Sequence, residues 1–377
     1  MFDLLSQSLS FLQLPVIFFL PLNQPSLRIV LMYQSSTLNR HSQIEKQEKM
    51  ALNNSISVFS TYGGPLNVDL SFKRSWLGRK AILTKEHLPN FRNGKLAGLV
   101  LPVDSLDDIR TALAEIAESN GELVLAADAA SILATPTCKS FSITLCACYK
   151  TIEEDLGKIA FLRQLGVRLF TYSSNRRNLL ADGCGERKPG GLSHLGVDAA
   201  KELERCGIIP DVSHLCDESF WDLLENTQGP IVATHSNTRA LCASPRNLTD
   251  SQIKAIGDRG GFIGISTFPT LVAEQDPSVE VLVQHIEHIA EIAGNESVTI
   301  GTDLIDFLGS LFDATLDHAD PGRNLYNKEP SSPVTTGIGS YAQVHNLMEA
   351  LAAHGYTDEQ LEMIAYKNLA RVMGRVP

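Results

Sequence analysis

Residues 190–214 read GGLSHLGVDAAKELERCGIIPDVSH. Within 195–205 the apolar residues recur at three- and four-residue spacing, as in a helix with one face against a core. The run 207–214 that follows is apolar, of strand length, and ends in Asp211-Val212-Ser213-His214. A helix feeding a buried strand with a polar end is the repeating unit of a parallel α/β fold.

The same alternation extends both ways. Strand-length apolar runs recur at 96–103 (LAGLVLPV), 142–149 (SITLCACY), 167–173 (VRLFTYS), 230–236 (PIVATHS), 261–267 (GFIGIST) and 297–303 (SVTIGTD), with a weaker one at 65–70 (PLNVDL). Helical spacing marks 105–118, 152–165 and 279–293, and Asp250 and Thr357 stand where helix N-caps are expected. Near-continuous apolar strands separated by helices predict a parallel sheet covered on both faces. Eight such strands over about 300 residues predict a single-domain α/β fold, a (β/α)8 TIM barrel. The stretch 306–340, rich in Gly, Pro, Asp and Ser, reads as a long loop over the barrel mouth.

The chain has 377 residues, 44% of them hydrophobic and 20% charged, which excludes wholesale disorder. A net charge of −11 argues against a nucleic-acid partner, because phosphate contacts need a clustered basic surface. The seven cysteines form an odd, scattered set without a CxxC pair. Neither a disulfide scaffold nor a zinc ribbon follows, and free thiols point to a reducing, cytoplasmic location. Residues 9–22 (LSFLQLPVIFFLPL) are apolar but short for a bilayer span and interrupted by Pro15 and Pro21. A polar run, 39–49, separates them from the globular pattern. Residues 1–49 are therefore expected to lie outside the fold, as an extension or upstream sequence, with an uncleaved anchor or atypical signal as the alternative; the barrel takes 50–377.

Chemistry collects at the strand ends. His214 closes one strand, His235 the next, Asp303 the last, and Asp69 is expected near the end of the first. In a parallel barrel all these ends face one rim. Two histidines on consecutive strands suit zinc, with carboxylates completing the shell. His285 and His288, three apart on a helix but without an acidic partner in metalloprotease order, read as a solvated helix face. His41, His87, His194, His318, His345 and His354 show no supporting pattern. Asp211 reads either as a group orienting a neighbouring backbone or histidine, or as structural.

In order, LGVRLFTYSSNRRN (165–178), GGLSHLGVDAAKELERCGIIPDVSH (190–214), PIVATHSNTRALCASPRNLTD (230–250), GGFIGIS (260–266), VTIGTD (298–303) and KNLARVM (367–373) resemble the membrane (renal) dipeptidase family, zinc enzymes of amidohydrolase type. The resemblance runs from about residue 60 to 375. It implies two zinc ions in the family pattern, a dipeptide substrate and a homodimer. Carried over, it implies metal ligation by His214 and His235, substrate-carboxylate binding by Arg246, and proton handling by Asp303. The family's His-x-Asp pair falls on Asn67-Val68-Asp69, so the Asp stands and the His does not. Its bridging Glu falls, counted without gaps, on Ala147. Its substrate-contacting histidine falls on Ser174. These departures leave at most one well-held zinc, on His214 and His235 with Asp69 or Asp303 nearby. If residue 147 faces the barrel interior, Cys146 and Cys148 face the helices and are structural; a one-residue slip reverses this. Two functions are expected: a metal-dependent hydrolase of dipeptides or similar small amides with a free carboxylate, or a non-hydrolytic member acting as a binding or biosynthetic accessory protein.

Overall fold

The structure, a computed structural model, describes residues 56–65, 67–304, 306 and 332–376. The chain divides into two units, Met1–Ala51 and Leu52–Pro377, and every described residue belongs to the second. The expected extension 1–49 and most of the expected loop 306–340 lie outside the described residues.

The strands are β1 (Val58–Ser60), β2 (Leu96–Val103), β3 (Leu123–Leu125), β4 (Phe141–Cys148), β5 (Val167–Thr171), β6 (Ile209–Asp211), β7 (Ile263–Ile265) and β8 (Val298–Ile300). Parallel pairing joins β1 to β2, β2 to β4, β4 to β5 and β5 to β6. The segment 230–236 bridges the next gap, with Asp211 against Val232 and Ala233 against Ile263. β7 pairs with β8, and Thr61 N–H donates to the Ile300 carbonyl (2.7 Å), which returns the ring to β1. The expected (β/α)8 barrel is the fold. β3 is an addition beside the start of β4.

One strand lies elsewhere than the sequence pattern predicts. The first barrel strand is Val58–Ser60, and the candidate at 65–70 runs into a helix, Asn67–Ser75. Asp69 in its first turn and Lys73 and Arg74 in its last suit the helix dipole. Asp69 therefore does not stand at a strand end.

Side chains on a strand alternate between faces, and the apolar residues sort accordingly into two clusters. Phe59, Val100, Cys146, Leu169, Ile209, Val232 and Phe262 form the barrel interior with Leu369, Val372 and Met373. Val58, Leu101, Ala147, Phe170, Ala233 and Ile263 pack outwards against helix residues such as Ile109, Leu203 and Ile286. The helix Asn368–Met373 closes the bottom. Arg371 donates to the carbonyls of Gly260 (2.8 Å) and Gly261 (2.9 Å), and Asn368 to that of Val298 (2.8 Å), all at the starts of β7 and β8. Cys146 thus faces inwards and Ala147 outwards, the reverse of the ungapped count. A register shift against β5 between Leu145 and Cys146 accompanies this.

The ring is narrow beside residue 234. A Cβ at Gly264 or Gly301 would run into the Thr234 carbonyl oxygen and the Thr61 hydroxyl. Gly301→Ala is expected to destabilise the protein by about 1–3 kcal/mol through overpacking, read as a lower urea midpoint with an unchanged slope. Among the described residues no helix is long and apolar enough to cross a membrane.

Candidate metal centre and active site

Three non-glycine residues near the rim hold left-handed backbone: Asn175 (φ 65°), His214 (φ 72°) and Asp303 (φ 53°). Such conformations cost on the order of 1 kcal/mol or more each and persist where their surroundings over-determine them, often at functional sites. They follow β5, β6 and β8, so the turn that ends each strand aims its side chain.

His214 and His235 meet, Nε2 to Nε2, at 2.9 Å. Their other nitrogens decide what that contact is. Asp211, wholly buried, accepts from Ser213 N–H (3.0 Å), Thr234 N–H (2.9 Å), Thr171 Oγ1 (2.8 Å) and Thr234 Oγ1 (2.7 Å). The single hydroxyl proton of Thr234 is committed to that carboxylate. Thr234 Oγ1 can then only accept from His235 Nδ1, 2.7 Å away. His214 Nδ1 donates to Asn175 Oδ1 (2.6 Å), which also accepts from the Cys184 thiol (3.2 Å). Both imidazoles therefore carry their proton on Nδ1 and turn bare Nε2 lone pairs towards each other.

Two lone pairs at that distance repel unless a cation lies between them. Burial, reinforced by the Arg246 charge, holds both histidines well below the usual imidazole range. A proton is therefore a poor candidate for that cation, and a divalent metal a good one. Neutral imidazoles with Nδ1–H fixed by an oxygen are the usual state of histidine ligands. The two imidazoles thus fit as ligands of a metal ion, although among the described residues no three His, Cys, Asp or Glu side chains converge as metal ligands.

The other expected site residues fall as follows. Asp303 ends the chain segment after β8. Burial raises its carboxyl to about 7, against the lowering effects of Arg246 and a hydrogen bond from Ser266. It borders a cavity of about 210 Å³ lined also by Thr267, Phe268, Pro269, Val334 and Ile338. Arg246 is only 3% exposed and lies beneath His235, donating to Ser236 Oγ (2.6 Å) and the His235 carbonyl (2.7 Å). Ser174 is exposed, and its carbonyl accepts from Arg176 N–H (2.8 Å). Asp69 is engaged elsewhere, by His87 Nε2 (2.8 Å) and Lys73 Nζ (2.5 Å). Asn67 opens the same helix. Cys146 contacts Thr171 Oγ1 (3.4 Å), and Cys148 donates to Asp104 (3.1 Å); burial raises both thiols.

His285 is fully buried rather than solvated: its Nδ1 accepts from Thr238 N–H (3.2 Å) and its Nε2 donates to the Val272 carbonyl (2.8 Å). His288 pairs with Asp250 (2.8 Å). His87, which showed no pattern, is the partner of Asp69.

Three site residues escaped the sequence. Asn175 and Thr234 fix the histidine tautomers, and no spacing marks either. Tyr62 follows β1 and stacks on His235 with ring centroids 3.7 Å apart and planes 15° from parallel. A short apolar run before Gly63-Gly64 was the available signal for the strand that delivers it.

The membrane dipeptidase (peptidase family M19) family model matches residues 103–321. An uncharacterized protein in the pqqA 5′ region of Klebsiella pneumoniae is 31% identical over 222 residues, 56% of this chain and 73% of that protein. The dipeptidase tcpJ of Claviceps purpurea is 27% identical over 223 residues, 58% of this chain and 47% of that protein, so the chain spans about half of that relative's length. A crystal structure of an amidohydrolase from Pseudomonas aeruginosa superposes with a TM-score of 0.72 at 21% identity, covering 87% of this chain and 98% of that one. That likeness is one of fold. With more than half its length matched by the family model, the chain belongs to the membrane dipeptidase family of metallopeptidases.

Proposed function

We propose that the protein is a hydrolase of dipeptides or similar small amides with a free carboxylate, using one zinc ion held by His214 and His235. The observation that carries this is the pair of tautomer-locked imidazoles whose bare Nε2 atoms face each other at 2.9 Å. Zinc bound there would polarise the amide carbonyl and acidify water. Asp303, with a carboxyl near 7, is suited to take a proton from the attacking water and pass it to the leaving amine nitrogen. The buried Arg246 charge favours a substrate with an anionic end. Family resemblance supports its contact with the substrate carboxylate, and a guanidinium fork suits that group.

The second reading, a non-hydrolytic binding protein, is favoured by one observation: no third His, Cys, Asp or Glu side chain joins the two histidines among the described residues. Elemental analysis with dipeptide hydrolysis by wild type and His235→Ala separates the two. The expected result is about one zinc per chain and slow turnover in the wild type, both lost in the variant. Wild-type turnover no greater than the variant's removes the enzyme. Negligible zinc as well leaves the binding protein.

A further inference from the structure

We propose that Tyr62 is a catalytic residue, whose hydroxyl donates a hydrogen bond to the substrate's carbonyl oxygen as that oxygen gains negative charge. The proposal rests on the hydrolase reading above and adds the group that answers the developing oxyanion.

The need arises from the residues present. The position matching the family's carbonyl-contacting histidine is Ser174, exposed and beyond the histidine pair's hydrogen bonds. Another donor must serve the oxyanion, and it must be held rigidly, because a donor that reorganises during reaction loses most of its benefit.

Tyr62 meets that requirement through its backbone. Its carbonyl accepts from Ser60 Oγ (2.8 Å), Thr302 Oγ1 (3.1 Å) and Asp303 N–H (3.3 Å). The last of these ties it to the proton-handling residue. The chain then turns through Gly63 (φ 148°) and Gly64 (φ 98°). A Cβ at Gly63 would strike the hydroxyls of Tyr341 and Thr302, so this course needs glycine.

The ring is fixed as well. It lies face to face with His235, at 3.7 Å and 15°. The phenol is therefore held over one of the two imidazoles that would bind zinc. Its hydroxyl makes no hydrogen bond to another described residue. Tyrosine hydroxyls in packed sites usually find a partner. One left without a partner beside the histidine pair has its donor available for a bound molecule. Of the side chains bordering the histidine pair, Asp211, Thr234 and Asn175 are consumed in fixing tautomers, and Arg246 donates to Ser236 and the His235 carbonyl.

The test compares wild type, Tyr62→Phe and Tyr62→Ala as zinc-loaded full-length chains, with a dipeptide as substrate and a phosphinate dipeptide mimic as oxyanion probe. Tyr62→Phe keeps the stacked ring and removes only the hydroxyl. It is expected to keep zinc content and KM, to lower kcat by about 100-fold, and to weaken phosphinate binding far more than dipeptide binding. Tyr62→Ala also loses the ring that braces His235, and is expected to lose zinc affinity besides. Wild-type turnover with an equally active Tyr62→Phe overturns the role of Tyr62 and leaves the hydrolase standing. A loss confined to KM, with kcat intact, overturns it too, because the hydroxyl then serves ground-state binding alone. A zinc-loaded wild type without turnover overturns the hydrolase, and the role of Tyr62 with it.

Discussion

Asp211→Asn is expected to give a folded protein whose zinc affinity is about 10- to 100-fold weaker, although residue 211 touches no metal. The effect runs through one proton. In the native protein Thr234 Oγ1 must donate to Asp211 Oδ2, so it accepts from His235 Nδ1 and leaves His235 Nε2 bare. An asparagine amide placed at Oδ2 donates to Thr234 instead. The hydroxyl is then free to donate to His235 Nδ1, and the imidazole moves its proton to Nε2, where it competes with the metal. The other oxygen of residue 211 can still accept from Ser213 and Thr234 N–H, which is why folding survives. Competition against a chelator of known affinity reads the change. Asp211→Ala is a different experiment. It strands four buried donors and is expected to cost more than about 4 kcal/mol of stability. Unchanged zinc affinity in a folded Asp211→Asn protein would mean that the tautomer of His235 is set by something other than Thr234.

That relay shows which parts of the site a sequence can carry. The two histidines were legible because they close consecutive strands, and a barrel brings consecutive strand ends together. β2 was legible to the residue, since LAGLVLPV is a continuous apolar run with helical patterns on either side. β1 was not. Val58-Phe59-Ser60 is short and flanked by serine, whereas Val68, Leu70 and Phe72 alternate with polar residues as a strand would. The alternation lost to helix formation, in which Asp69 reaches Lys73 one turn on and His87 on the next element. Asp69 left the expected ligand set with that strand, and Tyr62 entered the site with the true one. The inside-outside assignment of β4 failed for a comparable reason. A one-residue shift exchanges the two faces of a strand, so Cys146 took the interior and Ala147 the helix side. Hydrogen-bond partners that fix tautomers, Asn175 and Thr234, follow from three-dimensional proximity alone and leave no periodic trace.

In the metal-free protein, stability is expected to fall by roughly 4 kcal/mol between pH 4 and pH 7 on account of Asp303 alone. The sign follows from the direction of the shift. Burial raises this carboxyl from 3.8 to about 7 in the folded state. Above pH 4 the unfolded chain releases the proton while the folded chain retains it, so the unfolded state binds fewer protons and gains in free energy as pH rises. The difference stops growing once pH passes 7 and both states are ionised. Asp182 and Asp217 work the other way. Their pairing with Arg177 and Arg239 holds them below the usual carboxylate range, so their contribution is present above their unfolded pKa and fades as acid protonates them. Asp303→Asn isolates the one group, because those pairs are common to both proteins and cancel. The wild-type minus variant stability, from urea unfolding of chelator-treated samples, is expected to decline through pH 4–7 and then level. Parallel curves would show that the folded chain does not hold Asp303 protonated, and would remove the reason for giving it the proton transfer. A declining difference ties the cost to the use: the burial that destabilises the ionised carboxylate also leaves it able both to accept and to return a proton near neutral pH.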